Sequence, residues 1–328
     1  MLSSIHALRG IASIMVFFAH YRTIDGLSSP LNDFFSMGAY GVDIFFVISG
    51  FVVCLMLDKL KTLYHPVKKF KLRFILSRFI RVILPLWIAI LLQYIVVGNY
   101  SGTSNLINSI FLIPSENYYY NNLIVYYLEP QWSLVFELIF YIILTLFISS
   151  RTFLYSAIAL FIICFPAFVG FNSYISNPIM LEFIFGMISY QVYLNRKLSE
   201  SYFEIKKLSL SIIVFLVFGF LLKNQAGEIN SILRVLTVGV SCFFIITICS
   251  KNKSLNYKLA KNRALIFMGD ISYSLYLTHM VGFRIFTNYF DTNDLLILFC
   301  LMLFITVAFY IFVDKPCHIF AKMILKYD

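Results

Sequence analysis

The chain has 328 residues, of which 60% are hydrophobic and 13% charged, with a mean hydropathy of +0.85. A soluble domain of this size needs a far more charged exterior, so the composition excludes one and requires a polytopic membrane protein. The formal charge of +10 reads as cytoplasmic loops rich in Lys and Arg rather than as a nucleic-acid surface.

Apolar runs of membrane-spanning length fall at 5–21, 39–57, 79–98, 131–149, 153–171, 178–194, 208–223, 230–250, 265–285 and 294–313. They predict an all-α bundle of about ten transmembrane helices forming a single domain over 1–328. With both termini in the cytoplasm, the inner loops hold 21 of the 26 Lys and Arg residues, as the positive-inside rule demands. The five that remain are Arg9, Arg22, Lys223, Arg234 and Arg284. No removable signal peptide, internal repeat or low-complexity tract is evident. The six cysteines form no C-x-x-C pair and read as small buried hydrophobes, with no metal site expected.

The first apolar run holds Arg9 and His20. Eleven positions of helix turn through about 1100°, roughly 20° past three full turns, so both share one face about 16 Å apart. A guanidinium and an imidazole on one stripe are costly in lipid and mark a functional site. The second run places Asp43 in its outer half, where catalysis and a structural salt bridge weigh equally. Gly41 and Gly50 there permit close helix approach.

Before the third run stand Lys68, Lys69, Lys71, Arg73, Arg78 and Arg81. Arg78 and Arg81 are at i, i+3 and share a face. The cluster suits a polyphosphate and equally suits anionic lipid headgroups. The outer segment 99–130 has no Lys or Arg but carries Glu116, Glu129, Tyr118, Tyr119, Tyr120, Tyr126 and Tyr127. It reads as an interfacial aromatic belt ahead of a lip that stacks on sugar rings. The fourth run opens with Trp132, Ser133 and, one turn on, Glu137. The ninth sets Ser272, Tyr276 and His279 at i, i+4, i+7. By depth alone, His20, Asp43, Glu137 and His279 line one chamber.

These features fit a donor whose phosphates dock at the cytoplasmic face while a long arm carries its reactive end into the bilayer. Coenzyme A thioesters have that shape. A histidine near the outer side is a fitting general base, and Tyr276, Trp132 and Ser133 are candidate donors to the thioester oxygen. A transporter or flippase for lipid-linked sugars is the alternative, and a non-catalytic sensor or scaffold is a third reading.

The motifs in order resemble the membrane acyltransferase-3 family. The family's R-x10-H stands as Arg9 and His20 in LRGIASIMVFFAHY. Its second-helix pattern is GVDIFFVISGF at 41–51, and its R-x-x-R is SRFIRVILP with Arg78 and Arg81. Its W-S-L-x-x-E runs from Trp132 to Glu137, and a late S-Y-S-L-Y-L-x-H ends at His279. An acidic residue precedes the late Lys-Pro as Asp314. The resemblance implies acyl-CoA, usually acetyl-CoA, as donor, with Arg78 and Arg81 binding it beside Arg73. It implies His20 as the essential catalytic residue with Arg9 as its partner. The expected acceptor is a glycan or lipid-linked sugar, with membrane lipid as the surrounding partner and no nucleic acid. The expected place is the cytoplasmic (inner) membrane of a bacterium, crossed several times. Some relatives carry an appended extracytoplasmic hydrolase-like domain, and its lack in this chain leaves the acceptor less defined.

Overall fold

A computed structural model describes residues 2–21, 29–61, 67–148, 152–170, 175–195, 204–290 and 294–326. A helix stands on each of the ten expected stretches. In chain order the α-helices are α1 (Ser3–Tyr21), α2 (Ser29–Ser36), α3 (Gly41–Lys61), α4 (Val67–Val97), α5 (Thr103–Ile110), α6 (Gln131–Leu146), α7 (Thr152–Phe168) and α8 (Glu182–Leu194). They continue as α9 (Ile205–Leu221), α10 (Ile232–Arg234), α11 (Val240–Lys251), α12 (Lys253–Ala260), α13 (Arg263–Tyr289), α14 (Leu295–Phe309) and α15 (Lys315–Lys326). A π turn at Val235–Gly239 joins α10 to α11, and another at Tyr310–Asp314 joins α14 to α15.

Four helical stretches are long and apolar enough to cross a membrane: Pro30–Leu60, Phe70–Val97, Ile232–Lys251 and Leu295–Leu325. Shorter apolar helices add to them, and the chain is an integral membrane protein. Phe304 and Phe312 are 72% and 79% exposed on the last of these stretches. Large apolar side chains displayed this way belong against lipid.

Three boundaries differ from expectation. The basic run 67–81 is not a loop: α4 begins at Val67, so Arg73, Arg78 and Arg81 ride on the helix that continues into the apolar span. Nothing breaks it there, because 67–81 holds no Gly or Pro and its Lys, Arg and Leu form helix readily. The last span does not stop at 313 but runs on through the π turn into α15. The outer segment contains α5 and a two-stranded antiparallel hairpin pairing Glu116 with Ile124 and Asn117 with Leu123. The fold is thus all-helical apart from this hairpin, among the described residues.

The chain divides into two compact units, Met1–Val67 with Ile143–Ser272, and Lys68–Ile142 with Tyr273–Asp328. In the first, α3 packs on α8 where glycines remove side chains. A Cβ on Gly186 would come within 2.8 Å of Gly50 Cα, and one on Gly50 would strike the Phe183 carbonyl. Phe46 and Phe183 fill the same seam with ring centroids 4.8 Å apart. α1 meets α3 at Gly41, whose Cβ would collide with the Ala12 carbonyl, and meets the start of α13 at Gly10, whose Cβ would lie 2.9 Å from Met268. The expectation for Gly41 and Gly50 thus has a specific geometric reason: backbone takes the room a methyl would need.

In the second unit, the outer segment is stitched by side chains reaching backbone carbonyls. Gln93 Nε2 donates to the Tyr127 carbonyl (2.7 Å), Gln131 Nε2 to that of Ser109 (2.5 Å) and Tyr127 Oη to that of Gly98 (2.6 Å). These side-chain donors add to the backbone and tyrosine donors already on this segment, such as Leu112 N–H on the Ser109 carbonyl and Tyr100 Oη on that of Tyr127, so its carbonyls are paired.

Candidate functional site

Arg9 and His20 both lie on α1 in the first unit, and both are half-buried. His20 Nδ1 lies 3.0 Å from the Val16 carbonyl one turn back. A carbonyl only accepts, so Nδ1 carries the proton and Nε2 is the basic nitrogen of the neutral ring.

Asp43 is completely buried at the start of α3, and its partner is Arg234, 2% exposed. The guanidinium meets the carboxylate with both arms of its fork, Nη2 to Oδ2 at 2.6 Å and Nε to Oδ1 at 3.0 Å. Its third nitrogen, Nη1, donates to the Ala226 carbonyl at 2.9 Å. Tyr40 covers the guanidinium face, 4.9 Å from ring centroid to Cζ. Glu182 is fully buried beside this pair, its carboxylate against the π turn that follows Arg234. This fork-on-fork pairing is the strongest geometry available to two such groups.

In the second unit, three motifs converge on Asp314. Arg81 forms an ion pair with the Asp314 carboxylate, Ser274 Oγ donates to its other oxygen at 3.0 Å, and Tyr273 stacks on the Arg81 guanidinium at 4.9 Å. Asp314 is 1% exposed and closes the second π turn. Both π turns therefore stand at buried ion pairs, where a widened turn redirects side chains inward. Arg78 lies over the rings of Phe74 (5.9 Å) and Tyr141 (5.7 Å), and the Tyr141 hydroxyl donates to Glu137. Arg73 sits half-buried earlier on the same helix.

Ser133 and Tyr276 share a hydrogen bond of 2.6 Å, and each also reaches the Pro130 carbonyl at 3.1 Å. Two hydroxyl protons thus serve one hydroxyl–hydroxyl bond and one carbonyl. In this arrangement both are spent within the cluster, and donation to a substrate oxygen requires one of those bonds to open. Trp132 makes an edge contact with Phe136 at 5.9 Å. His279 is 1% exposed and bonded through Nδ1 to the Leu275 carbonyl at 3.1 Å. Ser272 donates within its own helix to the Gly269 carbonyl at 2.8 Å and belongs to the first unit. Of the four residues expected around one chamber, His20 and Asp43 stand in the first unit and Glu137 and His279 in the second.

The tyrosine-rich outer segment has a local use. Glu129 pairs with Arg284 at 3.0 Å and accepts from Tyr120 Oη at 2.6 Å, while Tyr100 and Tyr119 cover the guanidinium. Arg284, Arg234 and Lys223 escaped notice in the sequence as anything but exceptions to the charge rule. Each is paired with a carboxylate: Glu129, Asp43 and Asp33 respectively. A cation within an apolar run is itself the available signal, since it needs a counter-ion. Arg22 lies outside the described residues.

Residues 2–314 match the family described as acyltransferase domain, acyltransferase 3. The exopolysaccharide production protein ExoZ of Rhizobium meliloti (strain 1021) is 29% identical over 170 residues, which cover 47% of this chain and 50% of that protein. The match spans about half the length of this curated relative. No solved structure matches the chain.

Proposed function

Because the chain belongs to the acyltransferase-3 family, we propose that it moves an acyl group, acetyl in the simplest case, from a CoA thioester to a hydroxyl of a cell-envelope or exported glycan. The reading includes ten membrane crossings by one acyltransferase domain, cytoplasmic termini and residence in the cytoplasmic membrane. The observation that carries it is the family match spanning all five ordered motifs. The partial likeness to an exopolysaccharide production protein supports a glycan acceptor.

In this scheme His20 Nε2 takes the proton from the acceptor hydroxyl, and the oxygen attacks the thioester carbonyl. Arg9 stabilises the negative charge on the tetrahedral intermediate. The C–S bond breaks, and the imidazolium returns its proton to the departing thiolate. Arg78, with Arg73, holds the donor's phosphates, and Arg81 contributes from its ion pair with Asp314. Asp43 and Glu137 organise the site: Asp43 through Arg234, and Glu137 through the Tyr141 hydroxyl under Arg78. Membranes carrying the chain are expected to transfer radiolabel from acetyl-CoA to glycan, and His20→Ala should abolish transfer at normal expression. Near-normal turnover by His20→Ala would remove that residue from the mechanism, and transported but unmodified sugar would favour the transporter.

A further inference from the structure

The first unit holds a pocket of about 300 Å³ that the mechanism above does not use. It is lined by Asn32, Asp33, Ser36, Lys223, Asn224 and Gly227. Its volume is at the small end of ligand sites, typically about 300–1,000 Å³, but its lining is not typical. Among the described residues it presents two side-chain amides, the ion-paired carboxylate and ammonium of Asp33 and Lys223, and the Ser36 hydroxyl, and no apolar side chain. Such a wall has little to offer a lipid or a drug-like molecule. It offers amide donors and acceptors beside a fixed ion pair, which suits a polyhydroxylated ring.

The sequence of α2 explains the wall. On a helix, Asn32, Asp33 and Ser36 fall within an arc of about 100°, while Leu31, Phe34 and Phe35 occupy the rest. Phe35 docks α2 on the final turns of α1, stacked on Phe18 at 4.8 Å and edge-on to Tyr21 at 6.0 Å. The polar arc therefore sits at the His20 end of α1, the end expected outside the cytoplasm. The facing wall is the turn after α9, and it is held from below. Tyr40 Oη donates to the Leu222 carbonyl at 2.8 Å, and Arg234 donates to the Ala226 carbonyl at 2.9 Å while gripping Asp43. The Lys223–Asp33 ion pair ties the two walls together. Asp43, from the second-helix motif, thereby acts through Arg234 as a positioning residue for this wall. A wall fixed before ligand arrives lowers the ordering cost of binding.

We propose that this pocket is a saccharide subsite that holds a sugar unit of the acceptor glycan beside the unit to be acylated; this rests on the acceptor reading given above. A remote subsite of this kind anchors the chain so that its reactive hydroxyl is presented repeatedly to the catalytic base.

The test uses the full chain in nanodiscs and saturation-transfer NMR with the methyl glycosides of glucose, galactose, mannose and N-acetylglucosamine. Saturation of ring protons is expected for at least one glycoside with the wild type and with His20→Ala. Gly227→Trp sets a bulky ring on the pocket's rim, where Gly227 is part of the lining and a Cβ meets no other atom. It should cut the signal at least fivefold, as should Asn32→Leu combined with Asn224→Leu. Gly227→Ala should retain the signal and so separates steric obstruction from general damage. No saturation of any glycoside by the wild type, or undiminished signal in both Gly227→Trp and the double variant, would overturn the subsite. Label transfer from acetyl-CoA is scored separately on the wild type. Sugar binding without transfer retains the pocket and sinks the enzyme reading; transfer without sugar binding does the reverse.

Discussion

Replacing Arg234 with Met tests the buried pair at the heart of the first unit. Methionine roughly keeps the volume but removes the charge and every donor. Asp43, completely buried, then loses both arms of the fork, and breaking one side of a buried pair costs about 3–5 kcal/mol. The Ala226 carbonyl loses its donor as well, adding about 1 kcal/mol. The single variant should therefore lose about 4–6 kcal/mol, a large value for one substitution. Asp43→Leu combined with Arg234→Met removes both charges, and its loss should fall to about 1–2 kcal/mol. The two single losses should then fail to add by several kcal/mol, the signature of direct coupling. Arg234→Lys keeps the charge but not the planar fork, and an intermediate loss of about 1–3 kcal/mol is expected. Unfolding by SDS titration in mixed micelles reads all four. Arg234→Met within about 1 kcal/mol of the wild type would refute the reasoning, and so would strict additivity of the two single losses.

The other predictions concern the donor side and the glycine seam. Arg78→Ala should raise the KM for acyl-CoA with little loss of stability, whereas Arg81→Ala should also destabilise by about 3 kcal/mol, because Asp314 is left buried and unpaired; steady-state kinetics with the same micelle titration separates them, and equal behaviour of the two variants would contradict the assignment of Asp314 to Arg81. Gly50→Leu should prevent α3 from seating on α8 and cost more than the usual 1–3 kcal/mol of overpacking, because backbone lies in the way. Gly227→Ala, entering open space, should stay within about 0.5 kcal/mol, and the two are compared by monodispersity on size exclusion and by unfolding midpoint.

A charge in an apolar run has few innocent explanations, and that is what the sequence offers toward a site. Arg9 and His20 stand out on that ground and the R-x-x-R pair by its i, i+3 spacing in a basic cluster, and the roles given to them remain proposals. The partner of Asp43 was not legible, since Arg234 lies 191 positions away and no local spacing links the two. The same holds for Arg81 and Asp314, 233 positions apart.

The sequence by itself determined that this is a helical membrane protein, where its apolar helices run and to which family it belongs. Those properties follow from local composition, periodicity and ordered motifs, each readable within a few turns of chain. Only the tertiary structure decided which charges neutralise one another, that Ser133 and Tyr276 spend their protons on each other and Pro130, and that two polar stretches far apart in the chain line one open pocket. Those outcomes depend on which helices touch, and contact between distant segments is set by packing of small residues and by the demand that every buried charge find a counter-ion.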